Sequence, residues 1–140
     1  MPKARIREVK YDGYERLYLL DLIESNNKVC AYGLEYDNYV KSGSEVIKEI
    51  VEKECNFSIE WVNKIRVASF EVDEIIQDKP GSSHTVCNVT ISKVIDSDSF
   101  EWFSKYLGKV TTEIENDVDF LEVGIKVSFT GNLRVYFENL

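Results

Sequence analysis

Apolar and polar residues alternate at period two along much of this chain, and that period predicts strands. Val123, Ile125, Val127 and Phe129 alternate without a break, and Leu133, Val135 and Phe137 do so again. Gly131-Asn132 lies between the two runs and predicts a two-residue turn joining an antiparallel pair. Residues 84–94 alternate as cleanly, with Cys87, Val89 and Ile91 on one face and Asn88, Thr90 and Ser92 on the other. Near the N-terminus, residues 4–11 and 14–24 read as strands joined across Asp12-Gly13, a pair suited to a tight turn. Ser25-Asn26-Asn27 is a second turn, and residues 28–36 form a third strand. Residues 64–73 and 109–115 add two more. Residues 57–63 stay open between a strand, from Phe57, Ile59 and Trp61, and a short helix capped by Ser58.

Two segments switch to helical spacing. Ser42-Gly43-Ser44-Glu45 fits a capping box, and Val46, Ile47, Ile50 and Val51 then share one face. This helix is expected to end near Cys55-Asn56. Asp98-Ser99-Phe100-Glu101 is a second capping box, with Gly108 as the stop and Phe100, Phe103 and Leu107 as the buried stripe. The expected fold is α+β: a mainly antiparallel sheet built from hairpins, with two amphipathic helices packed on it. A single domain over residues 1–140 is expected, and the loop at Pro80-Gly81-Ser82-Ser83 divides it near its middle. Residues 13–18 and 131–136 share a faint Gly…Arg…Tyr pattern, read as two similar hairpins rather than a duplication.

Composition narrows the class. With 44% hydrophobic and 12% aromatic residues, a folded core is expected rather than disorder. No run approaches the ~20 apolar residues that span a bilayer, and no apolar signal block follows the basic N-terminus. Three cysteines, Cys30, Cys55 and Cys87, are odd in number and far apart, so no disulfide framework is expected and a reducing cytoplasm is the expected home. Charge is lopsided. Residues 1–70 hold 11 Lys/Arg and 12 Asp/Glu, whereas residues 71–140 hold 6 and 13, so nearly all of the net −8 lies in the second half. That balance repels phosphates and suits a basic partner protein, although acidity also serves solubility.

The chemistry-bearing residues are few. His84 is the only histidine, and on a strand it faces away from Cys87, so the two do not form a nucleophile and base. Cys30, Cys55, Cys87 and His84 together lack the spacings of a common zinc site, and no metal or cofactor is expected. Asp96, Asp98 and Glu101 suit a helix start and lack the spacing of a calcium loop. Phosphate-cradle, metalloprotease and nucleophile-elbow motifs are absent from the sequence. The densest acidic run is Glu113, Glu115, Asp117, Asp119 and Glu122, of which the first four share one face if extended. Such a row either protects an edge strand or imitates the phosphates that a basic protein binds. Eight tyrosines and two tryptophans supply interface-type side chains.

The expected function is therefore a non-enzymatic, acidic protein-binding inhibitor of the immunity-protein or phage anti-defence type. It would block a basic partner such as a nuclease or nucleic-acid-guided effector, through the row from Glu113 to Glu122, without touching nucleic acid or membrane. A nucleotide-like ligand held in an aromatic pocket is the alternative, and homo-oligomerisation through an edge strand stays open.

Overall fold

The computed structural model describes residues 2–12, 15–34 and 52–137. Ten strands account for their regular structure: β1 (Lys3–Asp12), β2 (Glu15–Leu22), β3 (Lys28–Leu34), β4 (Glu52–Val62), β5 (Ile65–Val67), β6 (Glu74–Ile76), β7 (His84–Asp96), β8 (Ser99–Ser104), β9 (Gly108–Ile114) and β10 (Lys126–Phe137). They join in one mixed sheet, and no helix occurs among the described residues. The expected α+β class is thereby corrected. Accordingly, no described helix is long and apolar enough to cross a membrane.

β1, β2 and β3 form a meander, and β4 lies antiparallel beside β1, from Lys3↔Glu54 to Arg5↔Glu52. That order is a Greek key. β10 then pairs antiparallel with β4, from Leu133↔Ile59 to Phe137↔Cys55, and meets β3 in parallel at Arg134↔Tyr32. The path β1-β2-β3-β10-β4 therefore returns to its start. β7, β8 and β9 form a second meander. β7 pairs antiparallel with β10 from Lys126↔Thr90 to Asn132↔His84, and β9 runs parallel to β4 from Phe57↔Val110 to Val62↔Ile114. The path β4-β9-β8-β7-β10 closes too. Each ring is a meander whose first strand lies antiparallel to one shared strand and whose third lies parallel to the other. Two halves of the chain thus repeat one pairing scheme around the shared β4–β10 ladder. The repeat matches β2 to β8, so the faint likeness between residues 13–18 and 131–136 is not its trace.

Alternation fills both rings with apolar side chains. β2 buries Tyr18, Leu20 and Leu22, β7 buries Cys87, Val89 and Ile91, and β10 buries Val127, Phe129, Leu133, Val135 and Phe137. Tyr18 meets Phe137 edge to face at 5.1 Å, and Phe100 meets Phe129 in the same way at 5.7 Å. The one buried indole N–H, on Trp102, donates to Thr112 Oγ1 at 2.8 Å.

Four local expectations change. The strand expected over residues 64–73 shortens to β5, and the next strand, β6, begins only at Glu74. The segment expected to form the second helix is β8 and the turn into β9. Phe100 and Trp102 point inward while Phe103 stays 65% exposed, because aromatic residues at period two gain more from a pleated wall than from one helical stripe. Its stop signal, Gly108 (φ 74°), instead closes a turn in which Ser104 Oγ accepts from the Tyr106 and Leu107 amides. The first helix, with its capping box at Ser42–Glu45, lies outside the described residues, but its expected end does not: residues 52–56 belong to β4. Finally, Gly131-Asn132 makes no turn, and β10 runs straight through it. A Cβ at Gly131 would stand 2.5 Å from Ile59 Cγ2 and 2.8 Å from both Glu60 O and Val62 Cγ2. Glycine is there because β4 crosses too close for any side chain.

β3 and β7 meet the same edge of β10 end to end, leaving a gap between the rings. Gln77 fills it as a peptide group would. Its Oε1 accepts from the Cys30 amide at 2.8 Å, and its Nε2 donates to Cys30 O at 2.7 Å and Thr85 Oγ1 at 3.0 Å.

Candidate functional site

The outward faces of β4, β8 and β9 form the floor of an open groove of about 860 Å³. Period two places its lining. Ser58 and Glu60 come from β4, Glu101 and Phe103 from β8, Lys109, Thr111 and Glu113 from β9, and Tyr136 from β10. Lys109 and Glu101 stand 3.9 Å apart.

At the β10 end of the groove, Glu60 anchors a polar cluster. Arg134 Nη1 donates to both carboxylate oxygens, at 3.0 and 3.1 Å, Tyr136 OH donates to Oε1 at 3.3 Å, and Tyr32 OH donates to Oε2. The guanidinium also lies 4.6 Å from the Tyr136 ring centre and 5.8 Å from that of Tyr32. Three donors hold the Glu60 carboxylate, so it is arranged as an acceptor hub rather than a free base. Burial, then the hydrogen bond to Glu60 and its charge, push the Tyr32 hydroxyl well above the usual tyrosine range, so it stays a neutral donor.

Trp61 follows Glu60 and departs from the strand pattern. Regular alternation from Ile59 would turn Trp61 inward and Val62 outward. Instead Ile59 pairs with Thr112 and Val62 with Ile114, so β4 spends one extra residue against β9. Trp61 carries the bulge at φ 60°, Val62 is fully buried, and the indole is 56% exposed. One face of it stacks on Tyr32, with ring centres 5.3 Å apart and planes 21° from parallel. Left-handed backbone at a bulky non-glycine residue costs about 1–2 kcal/mol. Its signal in the sequence is the adjacent apolar pair Trp61-Val62, which breaks the alternation of Phe57 and Ile59.

All five residues of the acidic run are exposed, but they do not form one straight row. Glu113 is on β9, opposite the bulge, and lines the groove. β9 ends at Ile114, and the other four lie on the irregular segment that leads to β10. That segment is fastened to its neighbours by hydrogen bonds. The Glu115 amide donates to Val62 O at 2.8 Å, and the Val118 amide donates to Ser97 O at 3.1 Å. Asp117 Oδ1 accepts from Ser97 Oγ at 3.0 Å, while Asp119 and Glu122 point to solvent further on. Extended geometry, the condition for a shared face, therefore holds only at Glu113.

The nucleophile candidates are held inert. Burial raises the Cys55 thiol to about 12 and lifts Cys87 further. His84 begins β7 partly exposed, whereas Cys87 faces the core. Among the described residues, no three His, Cys, Asp or Glu side chains converge in a way that could hold a metal ion. No family model matches the chain, and no curated protein or solved structure matches it either.

Proposed function

We propose that this chain is a non-catalytic inhibitor that binds a basic, nucleic-acid-processing protein through the face of β4, β8 and β9 and the acidic segment beyond β9. The observation that carries the reading is the make-up of that face. Phe103 is 65% exposed on a groove where Glu24, Glu60, Glu101 and Glu113 outnumber Lys105, Lys109 and the Arg134 paired with Glu60, and further exposed carboxylates follow in the chain at residues 115–122. An exposed aromatic with surrounding like charge suits steered docking of a cationic surface. Affinity capture at low and high salt tests it. The tagged protein should retain one basic nuclease or nucleic-acid-guided effector at low salt and lose it at high salt. Joint neutralisation of Glu113, Glu115, Asp117 and Asp119 should release that partner at low salt too. Retention by the neutralised variant would refute the proposal.

The groove volume also falls in the range of small-ligand sites, which favours a nucleotide-like ligand as the second reading. A thermal-shift screen separates the two, since a ligand bound only by the native state raises Tm.

A further inference from the structure

We propose that Trp61 is an aromatic anchor that receives an arginine side chain of the partner; this rests on the docking proposal above and names the chemistry it uses. The indole is the largest apolar group the fold leaves at the surface, and strained backbone holds it there. Regular alternation would have hidden it, so the bulge is what exposes it. Stacking on Tyr32 fixes one face, and Tyr32 is itself tied to Glu60, so the ring is preorganised while more than half of Trp61 stays exposed.

Charge complementarity selects the occupant. Glu113 lies across the ladder from the Glu60–Trp61 step, exposed on the same outward face, and Glu115 is fastened by its amide to Val62 at the far end of the bulge. A flat cation docking on the β9 side of the indole faces the exposed Glu113 carboxylate on the neighbouring strand. Lys64 precedes β5 and Arg66 lies on it; both are exposed, and they line a second groove with Asn116 and Val118 beyond the bulge. The cluster already treats one guanidinium in a related way: Arg134 lies over Tyr136 with its Nη1 on both oxygens of Glu60. Guanidinium stacks on aromatic rings and forks onto carboxylates, which a lysine ammonium does not do as well.

The test uses a dye-labelled hexa-arginine peptide, read by fluorescence anisotropy at several salt concentrations, with hexa-lysine as control. Hexa-arginine should bind at least about fivefold tighter than hexa-lysine. Trp61→Ala and Trp61→Gly should each weaken it by about tenfold, with the salt dependence unchanged, and Trp61→Phe should restore part of the loss. Trp61→Gly guards against misfolding, because glycine accepts the left-handed backbone, and its Tm should stay within about 4 °C of the parent. Neutralising Glu113, Glu115, Asp117 and Asp119 should instead flatten the salt dependence. If that variant loses binding while both Trp61 variants bind like the parent, the anchor is refuted and the docking proposal stands. Equal binding of the two peptides, or no binding of hexa-arginine at low salt, also refutes the anchor. In either case the capture experiment still decides the docking proposal.

Discussion

Gly131→Ala separates a strand crossing from a turn by the sign of its effect. In an ordinary strand, alanine in place of glycine gains about 0.5–1 kcal/mol, because the unfolded chain loses freedom. At Gly131 the new methyl would meet Ile59 Cγ2 at 2.5 Å and Glu60 O and Val62 Cγ2 at 2.8 Å, about 1 Å inside ordinary contact distances. None of these neighbours yields easily. Ile59 and Val62 are fully buried, and the Glu60 carbonyl belongs to the β4 backbone beside the strained bulge. Relief requires parting β4 from β10 near Leu133↔Ile59, where both rings join. Overpacking of a filled core costs about 1–3 kcal/mol and sometimes more, so we expect a net loss of about 2–3 kcal/mol. For a chain of this size that is a Tm drop of roughly 8–12 °C. Urea melts followed by circular dichroism and tryptophan emission should give a lower midpoint with the m-value retained. A midpoint equal to or above the parent's would show that no such crossing exists at residue 131.

Two further perturbations probe the join between the rings and the buried acids. Gln77→Ala should lower stability by about 1–3 kcal/mol, because it leaves the Cys30 amide and carbonyl without their side-chain partner, and a urea midpoint unchanged from the parent would refute that role. Tyr32, Cys55 and Cys87 all have native pKa values raised by burial, so the native state keeps protons that the unfolded chain releases. Their contribution is complete below about pH 9 and is lost as pH rises toward 12, at up to about 1.4 kcal/mol per pH unit for each ionising group. Urea midpoints between pH 8 and 12 should fall accordingly, and Tyr32→Phe should lessen the fall above pH 10. A flat profile would contradict the burial of all three.

Period two made much of the sheet legible. Residues 84–94 follow directly from their alternation, and the three N-terminal strands follow from the turn signals between them and from their Leu and Tyr content. It failed where one residue type serves two geometries. Gly131-Asn132 has the composition of a turn, and only the presence of β4 overhead reveals a glycine chosen for clearance. Phe100, Phe103 and Leu107 fit a helical stripe, yet Phe100 and Trp102 fit a strand equally well, and the neighbouring strands decide between them. The two-ring closure depends on β3 and β9 pairing in parallel with strands far away in the chain, which local pattern does not encode. Of the candidate site, Glu113 was legible as part of an acidic run. Trp61 was not, because its outward position exists only through the bulge, and Glu60, though outward by alternation, gains its partners from strands distant in the chain.

The shared ladder also fixes when the molecule can exist at all. β10 is the last described strand in chain order, and each ring needs it. While residues 126–137 are still unmade, β4 has a bare edge, β3 and β7 have no common neighbour, and the apolar inner faces of both meanders lack their closing wall. Neither half can mature ahead of the other during synthesis, even though each repeats the same scheme. Contacts this distant in sequence also slow the search for them. The nascent chain is thus left sticky until β10 emerges, and its yield in a cell depends on how well that interval is chaperoned.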